Sequence, residues 1–175
     1  MSKYIGLFSV MAVLALTLGA CGSAPTPTPA PAATGGFDVN QYVGVYEGTW
    51  TNKTTGASGP AVITVAVDES TKTVALTLDF GGNYLGLNDP PPITLTANYD
   101  DNGAAVRGSN PVLGDMEITI DTNGNIVGDL KNLVGGKIPA MKYTGKIGDG
   151  RLVTEYVVTL SDGTTTTSVL DTTRK

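Results

Sequence analysis

The sequence beyond residue 36 predicts an all-β protein, an antiparallel up-and-down meander closed into a barrel of about eight to ten strands. Three observations support this prediction. Apolar and polar side chains alternate with a period of two along short runs rich in Val, Ile, Leu and Thr. Tight-turn dipeptides separate several of these runs. No stretch has the apolar spacing of a long amphipathic helix.

Ten runs are predicted to be strands, because each is rich in β-favouring residues and is bounded by Gly, Pro, Asn or Asp. In chain order they cover residues 43–51, 61–67, 73–80, 93–99, 104–108, 114–120, 125–129, 140–147, 151–160 and 164–171. The hairpin signals between later runs are Asn102-Gly103, Asn123-Gly124, Asp149-Gly150 and Asp162-Gly163. Consecutive hairpins make neighbouring strands antiparallel, which predicts a meander.

The alternation assigns one face of each strand to the interior, since successive side chains point to opposite sides. The inward set, in chain order, is Tyr46, Trp50, Ile63, Val65, Val67, Val74, Leu76, Leu78, Phe80, Ile93, Leu95, Met116, Ile118, Ile120, Met141, Tyr143, Tyr156, Val158 and Leu160. The outward set is Glu47, Thr49, Thr64, Thr77, Asp79, Thr94, Thr96, Asp115, Glu117, Thr119, Lys142, Thr144, Glu155 and Thr159. The polar face is expected to contact water, the reverse of an outer-membrane barrel.

Turn positions also predict cross-strand partners, all of them apolar. The predicted pairs are Ile147 with Leu152 across Asp149-Gly150, and Tyr99 with Val106 across Asn102-Gly103. At Asn123-Gly124, Ile120 pairs with Val127 in a two-residue turn or with Ile126 in a three-residue turn, and both registers remain open.

Closure of the meander into a barrel is predicted from its edges. An open sheet of this many strands would leave two strands with unpaired backbone groups, and closure removes both edges. The alternative is a two-sheet β-sandwich.

Composition narrows the possible chemistry. The 175 residues contain no histidine and one cysteine, Cys21, which excludes His-dependent catalysis and His-ligated zinc. A single cysteine forms no intramolecular disulfide, so burial and backbone hydrogen bonds are expected to hold the fold. The formal charge of −5 disfavours nucleic acid as a partner, because phosphate binding requires clustered Lys and Arg. No catalytic residue, metal site or cofactor is predicted.

Acidic residues in the predicted strands suggest one catalytic alternative. Two converging carboxylates would suit glycoside hydrolysis, but the candidates fall on the predicted outward face; they are Glu47, Asp115, Glu117 and Glu155. A carboxylate-based hydrolase is therefore the third function considered.

Residues 121–125, DTNGN, begin like a calcium loop, but Ile126 stands where an EF-hand requires Gly, which favours a hairpin turn.

Residues 1–20 have the three parts of an export signal. Lys3 lies near the start, an apolar run covers 5–18, and small residues follow at Gly19 and Ala20. The apolar run is too short for an ordinary membrane span. These features predict a signal peptide that is removed on export.

The end of this segment, Leu18-Gly19-Ala20-Cys21, resembles the lipobox of bacterial lipoproteins. The resemblance implies diacylation of the Cys21 sulfur and cleavage between Ala20 and Cys21. It also implies attachment to a lipid bilayer of the bacterial cell envelope. The membrane would be the outer membrane of a diderm bacterium or the outer face of the cell membrane of a monoderm.

Residues 21–36 form the predicted connection between the anchor and the body. After Cys21 they alternate Pro with Ala and Thr and carry no charge. Proline fixes φ and provides no backbone donor, so an extended and solvated tether is expected. The predicted organisation is a signal peptide at 1–20, a lipidated Cys and flexible tether at 21–36, and a β-barrel domain at 37–175.

Gly48-Thr49-Trp50 on the first predicted strand resembles the Gly-X-Trp that opens lipocalin-like and avidin-like barrels of the calycin type. The resemblance implies a barrel in which Trp50 closes one end beneath an Arg of the last strand, for which Arg174 is the candidate. Thr154-Glu155-Tyr156 resembles a lipocalin loop motif but lies inside a predicted strand. The sequence departs from lipocalins in having no helix after the last strand, and from avidin in having a single Trp.

One long connection interrupts the short turns. Residues 81–92, GGNYLGLNDPPP, place Tyr84, Leu85 and Leu87 among Gly and Pro, and residues 130–134 add further apolar side chains. These side chains either rim an apolar mouth or fold back and plug the barrel end. The plugged arrangement is the more favourable one for the solubility of the protein, because an exposed apolar patch promotes association. Both arrangements remain open.

The predicted function is binding of a small apolar or amphipathic ligand, rather than catalysis. The candidate contacts are Tyr46, Trp50, Tyr84, Tyr99, Tyr143 and Tyr156, whose rings combine apolar area with a polar group. The alternative is a structural or adhesive envelope module with a packed core and no ligand. A binder requires a cavity of roughly 300 Å³ or more, whereas a structural module is packed to normal density. The sequence does not identify any particular protein partner.

Overall fold

The structure, a computed structural model, describes residues 36–175. The signal residues 1–20, Cys21 and the tether up to residue 35 lie outside the described residues. A short 3-10 helix, η1 (Val39–Tyr42), comes first. The strands are β1 Gly44–Asn52, β2 Ser58–Asp68, β3 Thr73–Phe80, β4 Asn83–Tyr84, β5 Leu87–Asn88, β6 Ile93–Asp100, β7 Gly103–Asn110, β8 Gly114–Asp121, β9 Asn125–Asn132, β10 Ile138–Gly148, β11 Arg151–Thr159 and β12 Thr165–Arg174, with one helical turn, α1 (Leu133–Gly136), between β9 and β10.

Ten of these strands form a closed antiparallel barrel in the order β1-β12-β11-β10-β9-β8-β7-β6-β3-β2, and β4 and β5 form a separate two-stranded hairpin. Each barrel strand lies beside its neighbour in sequence, and β1 pairs with β12 to close the ring. The predicted all-β meander and its closure are confirmed, and the barrel rather than the two-sheet sandwich is the observed arrangement. Every predicted strand is one of the ten.

The predicted faces are also confirmed. All members of the inward set are buried or half-buried, and the outward set is exposed or half-exposed. Three polar side chains are buried as well, Thr154 on β11 and Ser168 and Thr172 on β12. The inward set omitted these three because it was assembled from apolar side chains, although the alternation through Leu152, Tyr156 and Leu170 places them on the same face.

In two hairpins the observed register matches a pairing predicted from the sequence. Ile147 pairs with Leu152, and Ile120 pairs with Ile126 across the three-residue turn. The predicted pairing of Tyr99 with Val106 is wrong: Tyr99 faces Ala104. The turn consists of residues 101 and 102 instead of 102 and 103, because Gly103, at φ +149°, belongs to the strand and pairs with Asp100.

One end of the barrel is covered by the chain that enters it. Phe37 packs on Tyr42 with ring centroids 5.5 Å apart, and the hydroxyl of Tyr46 donates to the Tyr42 carbonyl oxygen at 2.9 Å. Arg174 Nη1 donates to the carbonyl oxygen of Gln41 at 2.8 Å. Residues 36–42 therefore seal this end, which we call the entry end.

The opposite end carries the longer connections, and we call it the mouth end. It receives the connection 81–92 with the β4–β5 hairpin and the single turn α1, in which Val134 and Gly135 have positive φ, +52° and +65°. Leu133 of that turn is fully buried. Among residues 36–175, no helix is long and apolar enough to span a bilayer.

The closed barrel is formed by the described residues. Gly35–Lys175 forms one compact unit, its ring of strands is closed, and a single apolar core fills the interior. The closed ring of strands and its apolar core therefore lie within residues 36–175, the segment used in the experiments below.

Candidate ligand-binding site at the mouth of the barrel

A cavity of about 500 Å³ lies at the mouth end. It is bounded by β1, β11 and β12 on the barrel side and by the β4–β5 hairpin on the other. Its lining is Trp50, Asn52, Thr55, Ala57, Asn83, Tyr84, Leu85, Gly86, Ile138, Tyr156, Val158, Leu160, Thr166 and Ser168. The volume falls within the range of small-molecule sites, roughly 300–1,000 Å³.

Three aromatic rings form the floor of this cavity. The Tyr84 ring lies edge-on to Trp50, with centroids 5.5 Å apart, and edge-on to Tyr156 at 6.2 Å. Tyr84 also stacks on Phe80 at 4.1 Å with an interplanar angle of 17°. Offset-stacked and edge-to-face contacts of this kind are favourable beyond the area that they bury. The rings of β1, β3, β11 and the hairpin therefore form one aromatic cluster.

Trp50 is held by its indole N–H, which donates to the Gly81 carbonyl oxygen at 2.9 Å. The indole lies over Gly59 of the paired strand β2, where a Cβ would come within 2.7 Å of Nε1. Glycine at this position therefore leaves the space that the indole occupies. The hydrogen bond connects the barrel wall to the start of the 81–92 connection.

Tyr84 reaches the cluster from outside the barrel ladder. The turn that carries it is closed by the Gly82 carbonyl oxygen, which accepts from Asp89 N at 2.8 Å, and by Asp89 Oδ1, which accepts from Gly82 N at 2.6 Å. Leu85 and Asp89 both have positive φ, +52° and +42°, a conformation that non-glycine residues rarely adopt. The hairpin is thus a tight, strained structure that inserts one ring, 5% exposed, into the barrel end.

Hydroxyl groups cluster on the wall made by β10, β11 and β12. Tyr156 pairs with Tyr143 on one side and with Ser168 on the other. The hydroxyls of Tyr156 and Thr154 are buried and have no hydrogen-bond partner among residues 36–175. The Tyr84 and Ser168 hydroxyls are near enough to affect the Tyr156 pKa, but neither meets hydrogen-bond geometry. An unpaired buried hydroxyl costs about 1–3 kcal/mol, so these two groups are unusual in a packed interior.

The site is electrically neutral. No charged side chain of the described residues lines the mouth cavity. Burial raises the pKa of Tyr84 well above its ordinary value, and desolvation likewise raises the pKa of Tyr143. Desolvation raises the pKa of Tyr156 to about 12. All three phenols are therefore neutral at physiological pH, and an uncharged ligand fits this environment best.

The stability of the barrel is expected to fall between pH 10 and pH 12. In this interval the unfolded chain loses the Tyr156 proton near its ordinary pKa of 10.0, whereas the folded barrel keeps it up to about 12. Ionisation thus stabilises the unfolded state alone, by about 2–3 kcal/mol at the upper end of the interval. Urea unfolding at pH 8, 10, 11 and 12 measures the loss. Tyr156→Phe should show a smaller loss, and an identical pH profile in this variant would contradict the assignment.

Two smaller cavities lie deeper in the barrel. Their volumes are about 80 and 60 Å³. Both are lined by apolar side chains together with Tyr143, and five residues border both: Ile63, Leu78, Ile118, Tyr143 and Leu152. Each is far below the size of an ordinary ligand site. The deep interior is therefore packed, and the room for a ligand is at the mouth.

The structure separates the six aromatic candidates into three groups. Trp50, Tyr84 and Tyr156 line the mouth cavity, and Tyr143 lines the two inner cavities. Tyr46 and Tyr99 lie at the entry end, where Tyr46 is buried beneath η1 and Tyr99 has Lys72 Nζ 5.3 Å above its ring.

The expected contact between Trp50 and Arg174 is absent from the described structure. Arg174 pairs with Tyr46, and Trp50 pairs with Leu170. The two side chains are four residues apart along the strand pair and lie at opposite ends of the barrel. Thr154-Glu155-Tyr156 lies inside β11, as the alternation predicted.

The connections at the mouth fold inward rather than forming an exposed apolar rim. Tyr84 and Leu133 are buried, and Leu85, Leu87 and Val134 are partly buried. The plugged arrangement is therefore the observed one. The short β4–β5 hairpin was not predicted, because two-residue strands within a Gly- and Pro-rich run have no alternation to detect.

The acidic strand residues lie on the outer face, as predicted. Glu155 pairs with Lys53 at 2.7 Å, Glu117 with Arg107 at 2.9 Å, and Glu47 with Lys175 at 3.0 Å. Asp121 accepts from the backbone N–H groups of Asn123 and Asn125, each at 2.9 Å, which is the hairpin-turn arrangement.

Two depressions at the entry end are comparable in volume, about 470 and 400 Å³. They lie on the outer surface beside Tyr99 and Asp100, and both have charged residues in their lining. Neither is lined by a residue with a buried unpaired hydroxyl, whereas Tyr156 lines the mouth cavity. The mouth cavity is therefore the stronger candidate site.

Comparison with known proteins supports the fold alone. No family model matches the sequence, and no curated protein matches it. The solved structures that are similar include a protein of unknown function of the DUF3598 family from Nostoc punctiforme, with a TM-score of 0.57 and 11% sequence identity. The match covers 81% of this chain and 50% of that protein, so the chain spans about half of its length. The chain is thus a closed β-barrel similar in fold to that protein.

Proposed function

We propose that this chain is an envelope lipoprotein whose β-barrel binds a small, uncharged, amphipathic ligand at the mouth. The ligand lies against Trp50, Tyr84 and Tyr156, with its apolar part on the rings and one polar group directed to the hydroxyl wall. The role is binding rather than catalysis. The lipid bilayer is the second partner, through acylated Cys21.

One observation carries the binding proposal: the Tyr156 hydroxyl is buried without a partner in a residue that lines a cavity of about 500 Å³. A buried polar group without a partner destabilises a fold, so its presence beside a cavity supports a role in recognition. A hydroxyl or carbonyl oxygen of a ligand would provide the missing partner.

A structural module without a ligand is the second candidate. It is supported by the small size of the inner cavities, about 80 and 60 Å³, and by the Tyr84 ring that fills the barrel end. These features are those of a packed core. The candidates differ in the mouth cavity, which has no role in a purely structural barrel.

The position of the mouth suits an anchored binder. Phe37, just after the tether, is held by a hydrogen bond from its N–H to the Asp101 carbonyl oxygen at the entry end, 2.9 Å. The mouth cavity lies at the other end of β1, beside Trp50 and Asn52. Residue 36 therefore joins the barrel at the end remote from the mouth cavity.

Native mass spectrometry of residues 36–175, purified gently from the native host, tests the binding proposal. A reproducible added mass that is lost on denaturation would support it and identify the ligand class. A bare protein mass, repeated after incubation with lipid and metabolite extracts, would favour the structural module. Trp50 provides a second readout, because it is the single Trp of the chain and lines the cavity.

Tyr156→Phe is expected to separate binding from stability. The variant removes an unpaired buried hydroxyl, so the free energy of unfolding should rise by about 1 kcal/mol. Ligand affinity should fall about tenfold, since a hydrogen bond worth about 1.4 kcal/mol is lost. Urea unfolding and Trp50 fluorescence titration measure the two effects. Thr154→Val is the matched control: it also removes an unpaired hydroxyl but does not line the mouth. Equal losses of affinity in both variants would contradict the role of Tyr156.

Cys21→Ser is expected to release the protein from the membrane fraction. The substitution removes the thiol that the lipobox resemblance marks for acylation, and without acyl chains nothing in the tether composition binds a bilayer. Fractionation of cells and labelling with a palmitate analogue measure the change. Ser2→Ala is the control at the start of the signal segment. Unchanged labelling of Cys21→Ser would refute the lipoprotein assignment.

A further inference from the structure

The Tyr84 ring occupies the barrel end in the manner of a bound ligand. Its backbone belongs to the β4–β5 hairpin, which does not pair with any barrel strand. The ring itself is enclosed by three rings that do belong to the barrel: Phe80 stacked at 4.1 Å, Trp50 edge-on at 5.5 Å and Tyr156 edge-on at 6.2 Å. We call these three residues the aromatic cage.

The cage lies between the mouth and the interior. Tyr84 lines both the mouth cavity and the inner cavity of about 60 Å³. Removal of this one ring would therefore join the two spaces. The Tyr156 hydroxyl at the side of the cage has no partner even with the Tyr84 ring in place, so the resident phenol does not complete the polar arrangement.

The chemistry of the cage selects a particular kind of ring. Stacking on Phe80 requires a flat ring, and Trp50 and Tyr156 meet that ring in edge-to-face contacts. No charged side chain of the described residues lines either adjoining cavity, and charged groups are not stable without partners in such surroundings. A hydrogen-bond donor or acceptor on the ligand's ring would pair with the unpaired Tyr156 hydroxyl.

We infer that the aromatic cage is an inner ligand subsite for a flat, neutral ring bearing a hydroxyl group, and that Tyr84 fills it until a ligand displaces the ring. This inference rests on the proposed binding function and adds the ligand class and the part of the barrel that it enters. The mouth cavity holds the remainder of the ligand. The hairpin, held by the Gly82–Asp89 bonds, moves outward as one piece.

The test uses p-cresol, which has the same non-hydrogen atoms as a tyrosine side chain, and toluene, which lacks the hydroxyl. Both are titrated against residues 36–175 with Trp50 fluorescence as the readout. Tyr84→Ala should bind p-cresol at least about tenfold more tightly than the unmodified barrel, because no resident ring has to be displaced. In Tyr84→Ala, p-cresol should bind more tightly than toluene, and adding Tyr156→Phe should remove that preference.

Two controls separate the cage from a general effect of cavity creation. Leu95→Ala enlarges the other inner cavity and should show no preference for p-cresol over toluene. Tyr84→Phe keeps the ring in place and should bind p-cresol as weakly as the unmodified barrel. If Tyr84→Ala does not fold, Tyr84→Val provides the same comparison with a residue suited to a strand. Equal p-cresol affinity in the unmodified barrel and in the variant without the Tyr84 ring, Tyr84→Ala or Tyr84→Val, would overturn the inference.

A measurement on the unmodified barrel distinguishes this inference from the mouth-binding proposal. Saturating p-cresol should make residues 81–92 more susceptible to proteolysis and to amide exchange, because the Tyr84 ring leaves the cage. Binding with these residues unchanged or better protected would place the ligand at the mouth alone. That outcome overturns the inner subsite and leaves the mouth-binding function intact.

Discussion

Replacement of Gly48 by alanine is expected to prevent normal closure of the barrel. Gly48 on β1 faces Thr172 on β12, at the strand pair that closes the ring. A Cβ at this position would overlap the Asp171 carbonyl oxygen and lie 2.8 Å from Thr172 Cα. Both are backbone atoms, so the conflict is relieved only by moving a strand. The expected loss is at least about 3 kcal/mol, beyond the usual cost of overpacking because backbone has to shift.

Urea unfolding of Gly48→Ala measures this loss, with Gly148→Ala as the matched control. Gly148 also lies in a barrel strand, but nothing lies within 4 Å of a Cβ built there, so this variant should unfold within about 0.5 kcal/mol of the unmodified barrel. Similar midpoints for the two variants would show that β12 does not approach β1 as closely as described. A large loss in Gly48→Ala alone would also give the first residue of the Gly-X-Trp motif a physical role, which is to let β12 approach β1.

Trp50→Ala is expected to lower the free energy of unfolding by about 3–5 kcal/mol. The indole is 3% exposed, contacts the Tyr84 ring, and donates to the Gly81 carbonyl oxygen. The substitution therefore leaves a large cavity and also removes a hydrogen bond that holds the start of the 81–92 connection. Increased proteolysis of that connection should accompany the loss of stability.

Trp50→Phe separates the two contributions. It keeps a ring in the cluster but removes the N–H donor, so the expected loss is smaller, although the Gly81 carbonyl oxygen still loses its partner at a cost of about 1–3 kcal/mol. Thermal melting followed by circular dichroism measures both variants, since neither retains the Trp50 fluorescence signal. A melting curve of Trp50→Ala that is unchanged from the unmodified barrel would mean that the indole does not seal the barrel end.

Most of the fold could be predicted because strand alternation is a local property of the chain. In β6 (Ile93–Asp100), for example, Ile, Leu and Ala alternate with Thr and Asn. The pleated backbone places the apolar side chains on the inner face of the sheet and the polar ones on the outer face. Turn chemistry located most hairpins for the same reason. The Tyr99 register failed because Gly103 suits both a turn and a strand with positive φ, and local sequence does not distinguish these uses.

The candidate site was predicted only in part. Trp50, Tyr84 and Tyr156 line the mouth cavity, whereas the other three predicted aromatic residues lie at the entry end or in the deep interior. Tyr46 and Trp50 are four residues apart on the same face of β1, yet one is sealed beneath η1 and the other lines the mouth. Position along a strand decides which end a residue occupies, and no local pattern indicates which end remains accessible.

The sequence by itself determined that this chain is an antiparallel meander and which side chains face inward. These properties depend on neighbours within about ten residues, through side-chain period and turn conformation. Only the tertiary structure decided that Tyr84 enters the barrel end, that Thr154 and Tyr156 bury hydroxyls without partners, and that β12 approaches Gly48. Each of these depends on contacts between segments far apart in sequence. Closure of the barrel sets the distance between those segments, and the local sequence of the contacting residues does not.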